Sequence, residues 1–110
     1  MESYDIVVAG GGPAGLQFAR SVVGRSDHSV AVLEANDELA DNDKSTGGTF
    51  HQVVEGFGVP DDVVMSESAT VQFEGPSARA TLDIPNYVLD FPAFLEFLGA
   101  DAAADGADIH

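Results

Sequence analysis

Tyr4-Asp5-Ile6-Val7-Val8-Ala9-Gly10-Gly11-Gly12-Pro13-Ala14-Gly15, followed downstream by Ser29-Val30-Ala31-Val32-Leu33-Glu34, is the stretch that decides the fold. Ile6 to Ala9 is apolar without alternation, the pattern of a parallel strand covered on both faces, and is too short for a helix. Pro13 suits a first helical turn because it has no amide hydrogen to leave unpaired there. Leu16, Ala19 and Val23, with Phe18 and Val22 beside them, repeat at helical spacing, and Gly24 is a plausible stop. Ser29 to Glu34 is the second strand. The order is strand, glycine turn, helix, strand and terminal acid, a β-α-β unit.

That order carries a binding chemistry. Gly10 tolerates the backbone angles of a tight strand-to-helix turn, Gly12 lets the backbone approach a pyrophosphate, and Gly15 allows close packing of helix on strand. The amides around Pro13 and Ala14 then point at the phosphates, aided by the helix dipole. Glu34 ends the second strand, where a carboxylate accepts bonds from both ribose hydroxyls, and Ala35 follows it. An acid there disfavours a 2′-phosphate, so the ligand is FAD or NAD rather than NADP. The bland alternative is a structural turn with an incidental surface glutamate.

The wording of this segment resembles the amino-terminal FAD-binding segment of flavin-dependent oxidoreductases and monooxygenases. Within them it most resembles the geranylgeranyl reductase family, which reduces isoprenoid double bonds using FAD. The resemblance is strong to Glu34 and looser beyond. It implies a Rossmann-like, three-layer α/β fold with a parallel sheet and an antiparallel β excursion.

Working outward, the turn-rich segment from Ala35 to Asp43 reads as a loop with a helical turn around Leu39. Lys44-Ser45-Thr46-Gly47-Gly48-Thr49 follows, then Phe50, Val53, Val54 and Phe57 at helical spacing, so the glycine pair is expected to open a helix. The resemblance places this loop at the flavin, nominating Ser45, Thr46, Gly47 and Gly48, although many relatives have a cysteine here and this chain does not. Lys44, the only lysine, is either a charge partner for phosphate or a solvated side chain. His51 has the side-chain type that titrates nearest neutrality, but an exposed helical histidine is the commoner outcome. Catalytic residues are not assignable.

Ala69 to Phe73 alternates in strand fashion, Gly75-Pro76-Ser77 turns, and Ala78 to Ile84 runs back. By the resemblance this hairpin, within about 66–86, is expected to begin a substrate domain; the alternative is a surface β-excursion with no ligand contact. Pro85 to Asp90 leads into a helix with the stripe Phe91, Phe94, Leu95, Leu98 and Ala102, closed by Gly106. By the resemblance an arginine commonly stands where this chain has Phe91, so Phe91 is not a cofactor residue. Ile109 starts a third strand.

Composition bounds the rest. The chain has 110 residues and a formal charge of −15, from 19 acids against 4 bases. Such a field argues against nucleic-acid partners. Scattered as they are, the acids suit a salt-adapted surface, with an acidic docking face as the alternative. No cysteine is present, which excludes disulfides and thiolate metal sites, and no metal site is expected. No apolar run is long enough for a membrane helix, and no signal peptide is apparent, so a cytoplasmic location is expected, peripheral to the membrane if the substrate is a lipid.

The length implies a fragment, residues 1–110 forming the N-terminal part of a FAD-binding domain. The expected function is FAD-dependent reduction of an unsaturated, isoprenoid-like small molecule or lipid, with NAD(P)H as a candidate external reductant. A monooxygenase- or halogenase-like enzyme and a non-catalytic acidic binding module are the alternatives.

Overall fold

A computed structural model describes residues 2–110. The chain divides into two compact units, one running up to Asp43 and resuming at Pro92–His110, the other spanning Lys44–Phe91.

The first unit is built on three parallel strands. β1 (Ile6–Ala9) leads through α1 (Pro13–Arg25) to β2 (Val30–Leu33), and α3 (Phe91–Ala104) leads to β8 (Asp108–Ile109). Their order is β1-β2-β8, with Ile6 opposite Val30 and Val32 opposite Ile109. Both helices cover the same face. A Cβ on Gly15 of α1 would meet Val8, and one on Gly99 of α3 would lie 3.5 Å from Ile109. Arg20 of α1 joins them, bonding the Asp101 carboxylate and lying over the Phe97 ring at 5.1 Å.

The core follows from this geometry. Leu16, Val30, Val32, Leu95, Leu98 and Ala102 are fully buried. Each large aliphatic side chain so placed contributes about 1.5–3 kcal/mol through removal from water. The apolar stripe expected for α3 faces inward, as do Leu16 and Ala19 of α1, but Phe18, expected beside them, is 48% exposed, and α1 runs one residue past Gly24. Parallel β1 is covered on one side: Ile6 and Val8 are half-buried, whereas Val7 is 56% exposed, as is Leu33 at 48%. Gly106, at φ +113°, ends α3 in a conformation that an L side chain resists.

The second unit is antiparallel. β3 (Gly48–Phe50) and β4 (Val64–Ser68) flank the central β7 (Asn86–Leu89), while β5 (Val71–Glu74) and β6 (Arg79–Leu82) form a separate hairpin. The expected hairpin is present, with Val71 opposite Leu82 and Phe73 opposite Ala80. The register of β4 on β7 shifts between Val64 and Ser66, leaving Met65 70% exposed at the irregularity.

Two expectations are corrected here. Gly47-Gly48 does not open a helix: Gly48 opens β3, and α2 (His51–Gly56) starts only after Phe50, its N-cap. The β-branched Thr49 and aromatic Phe50 prefer a pleated surface and pair with Tyr87 and Asn86. Asn86–Leu89, read as a lead-in to the last helix, is instead the middle strand of the sheet. Its four residues are too few for alternation to show against the flanking Pro85 and Asp90.

Candidate functional site

The glycine turn of the first unit is assembled by three different constraints. Gly10 has φ +106°, the strained region that β1 must enter to turn into α1. A Cβ on Gly15 would overlap the Gly10 carbonyl oxygen and reach Val8 at 3.0 Å, so helix and strand touch there. Gly12 has an ordinary φ of −78° and nothing within 4 Å of where a Cβ would be. The protein itself therefore does not require glycine at position 12. Open space beside its backbone is what close approach by a ligand needs.

α1 begins without a side-chain cap, and no acid stands in its first turn. Its hydrogen-bond ladder opens with the Leu16 amide donating to the Gly12 carbonyl at 3.0 Å. The amides of Ala14 and Gly15 precede that rung, the place where a helix N-terminus presents donors and a positive partial charge. Pro13 contributes no donor and sets the entry angle.

Glu34 lies at the carboxyl end of β2, beside this turn. One carboxylate oxygen accepts the Gly11 amide at 2.9 Å and the other accepts the Asn36 amide at 3.0 Å. The acid selected as a ribose partner thus also ties the turn to the loop after β2. A carboxylate has about four lone-pair positions, so accepting amides is compatible with accepting hydroxyls as well. Ala35 is exposed next to it.

Gly11 and Leu39 were not singled out by the sequence. A Cβ on Gly11 would lie 2.5 Å from Leu39 Cδ2 and 3.3 Å from the Glu34 side chain. Leu39 belongs to a short 3-10 helix, Leu39–Asp41, closed by reciprocal capping between Glu38 and Asp41. The run of three glycines contains this signal, but nothing local shows that a leucine 28 positions later fills the space.

In the second unit, the Lys44–Gly48 loop has a different character. Gly47 is buried with φ +79°, and a Cβ there would overlap the Leu89 carbonyl oxygen; its own carbonyl accepts the Leu89 amide at 2.9 Å. The Ser45 hydroxyl accepts the Gly47 amide at 3.1 Å, and the Thr46 hydroxyl accepts that of Gly48 at 3.4 Å. These amides are engaged within the loop. Ser45, Thr46, Gly48 and Lys44 are exposed. His51 pairs with Glu55 at 3.3 Å, one turn along α2, and is itself 42% exposed, a surface arrangement. Phe91 is the first residue of α3 and half-buried.

The ends of the first sheet carry two shifted groups. The Asp108 carboxylate, accepting the Tyr4 hydroxyl at 2.7 Å, pushes the tyrosine pKa up to about 12. Asp5 is held below the usual carboxylate range, chiefly by the Ser29 amide donating to it at 2.9 Å. Both pin the strand ends, the half-buried Tyr4 to Asp108 and the exposed Asp5 to Ser29. Among the described residues no group of three or more His, Asp or Glu is placed to hold a metal, and no helix is long and apolar enough to cross a membrane.

The parallel β-α-β unit with its glycine turn and strand-end acid defines a Rossmann-like α/β fold of the FAD-binding type. No family profile matches the chain. It is 39% identical over 109 residues to digeranylgeranylglycerophospholipid reductase of Haloferax volcanii, covering 97% of this chain and 27% of that protein. Its structure matches a geranylgeranyl bacteriochlorophyll reductase-like protein of Thermoplasma acidophilum with TM-score 0.88 and 26% identity, over 99% of this chain and 30% of that one. The fold is shared with a myxobacterial chondrochloren halogenase, a variant of FAD-dependent halogenases, at TM-score 0.80 and 21% identity, over 100% of this chain and 29% of that one.

The chain is geranylgeranyl reductase-like, matching a segment of these proteins over nearly its whole length. It spans about 27% of the length of the curated relative. The likeness to a Haloferax protein accords with reading the dense carboxylates as salt adaptation.

Proposed function

We propose that the protein carrying this chain is a FAD-dependent reductase acting on an unsaturated isoprenoid-bearing lipid, with NAD(P)H as a candidate reductant. The observation that supports it best is the likeness to the Haloferax reductase across 97% of the chain, a stretch that includes the glycine turn and Glu34. When bound, FAD supplies the two-electron redox chemistry.

The chain's own residues bind and orient. Gly12 leaves room for the pyrophosphate, the amides of Ala14 and Gly15 donate to it, and Glu34 accepts the ribose hydroxyls. Ala35 flanks the ribose. Ser45, Thr46 and Gly48 line the exposed side of their loop for contact with the flavin half, while Gly47 holds that loop against Leu89. The halogenase-like fold supports an oxygen-activating alternative, and the 39% identity to the reductase against 21% to the halogenase favours reduction.

The test is the visible spectrum of the full-length protein purified in molar KCl. Flavin absorbance that fades on adding NADPH or NADH, and returns when a geranylgeranyl lipid is added without oxygen, is the expected result. Colourless protein that takes up no added FAD overturns the reading.

A further inference from the structure

Resting on that FAD-binding reading, we infer that Leu39 is a positioning residue for the dinucleotide turn, a wedge seated between Gly11 and Gly99. Its two methyl groups face two different elements. Cδ2 lies where a Cβ on Gly11 would be, at 2.5 Å, and Cδ1 occupies the corresponding space beside Gly99 of α3. Neither glycine has a positive φ, so what a Cβ would meet at both positions is first the end of the Leu39 side chain, joined at Gly11 by Glu34 at 3.3 Å.

The wedge has a fixed base. Asp41 Oδ2 accepts the Glu38 amide at 3.2 Å, and the Asp41 amide donates to the Glu38 carbonyl at 3.1 Å, closing the short helix that carries Leu39. Glu34 completes the clamp by accepting the Gly11 amide. Leucine packing and carboxylate bonding therefore bear on one peptide, immediately before the Gly12 backbone that the pyrophosphate must approach. A turn held in its binding geometry loses less conformational freedom when ligand arrives, and the saving appears as affinity. The influence of Leu39 on the cofactor runs through Gly11.

The experiment is FAD titration of full-length protein in molar KCl, followed by flavin fluorescence, for wild type, Leu39→Ala, Leu39→Met and Gly99→Ala. Leu39→Ala should raise the Kd about tenfold through lost preorganisation. Leu39→Met, which refills the space, should recover most of it. Gly99→Ala should also raise the Kd by displacing Leu39, and adding Leu39→Ala should remove that increment. Should Gly99→Ala fail to fold, the Leu39→Ala and Leu39→Met pair decides the matter. Unchanged Kd in Leu39→Ala, with wild type binding FAD, overturns the wedge and leaves the cofactor reading intact. Failure of the wild type to bind FAD overturns the cofactor reading and this role with it.

Discussion

The two glycine loops look alike in sequence and differ in what their glycines are for. Gly10-Gly11-Gly12 precedes a helix without a side-chain cap, and Gly12 has empty space beside it. Gly47-Gly48 precedes a strand; Gly47 is pressed against the Leu89 backbone, and both its amide and that of Gly48 are capped by hydroxyls. The first loop leaves open space beside Gly12, although its Gly10 and Gly11 amides are bonded to the Leu33 carbonyl and to Glu34. The other uses its glycine to close its own sheet. Glycine content alone does not distinguish a glycine with open space beside it from one packed against backbone; the space a Cβ would enter does.

That contrast is most exposed to a pair of alanine substitutions. Gly47→Ala should cost about 3 kcal/mol of stability or more, since it adds strain at positive φ to overlap with a carbonyl oxygen that cannot move without shifting β7. Urea unfolding checks it, and a loss below about 1 kcal/mol would mean the loop is adaptable. Gly12→Ala should do the reverse, leaving the unfolding midpoint nearly unchanged while weakening FAD binding tenfold or more, because the methyl meets ligand and not protein. A Gly12→Ala variant with full FAD affinity would place the two loops in one class.

Glu34→Ala comes next. Losing charge-assisted bonds should weaken FAD binding by about 1.5–3 kcal/mol, read from equilibrium titration. Because Glu34 also accepts the Gly11 and Asn36 amides, a modest fall in stability should accompany it. Retained affinity would make this carboxylate a purely structural tie.

The acidic surface sharpens the comparison at lower amplitude. If the charge of −15 is salt adaptation, the melting temperature should climb as KCl rises from low to molar concentration, through screening of mutual repulsion. A flat response would favour an acidic docking face.

The smallest effects are the pH limbs of the two strand-end pins. Tyr4 has a folded pKa of about 12 against an ordinary 10.0, so the folded state holds its proton more tightly. Its contribution is complete below pH 10 and fades as pH rises towards 12, and Tyr4→Phe should flatten that alkaline limb. Asp5 is shifted the other way. Its contribution is present above its ordinary value of 3.8 and is lost as pH falls below it, so Asp5→Asn should flatten the acid limb. Chemical unfolding across pH reads both limbs.

Much of the first unit was legible because its signals are local and agree with one another. Ile6–Ala9, the glycines, Pro13, the Leu16 and Ala19 stripe and Val30–Leu33 each specify a neighbouring conformation, and together they allow one right-handed parallel arrangement. The second unit was legible only in its hairpin. There Val71 and Phe73 face Leu82 and Ala80 across a short Gly75-Pro76-Ser77 turn, a contact order low enough for pattern reading. Phe50, Val53, Val54 and Phe57 promised a longer helix, and cross-strand pairing to β7 took Phe50 away from it.

The sequence by itself determined the β-α-β unit, the glycine turn between its strand and helix and the acid at the end of β2, because each depends on residues a few positions apart or on one short crossover. Only the tertiary structure decided that Leu39 fills the space between Gly11 and Gly99, that Glu34 clamps the turn, and that Gly47 packs on the Leu89 backbone. The reason is physical. Excluded volume between residues distant in sequence leaves no periodicity to read, and a glycine records only that something must come close, not what does.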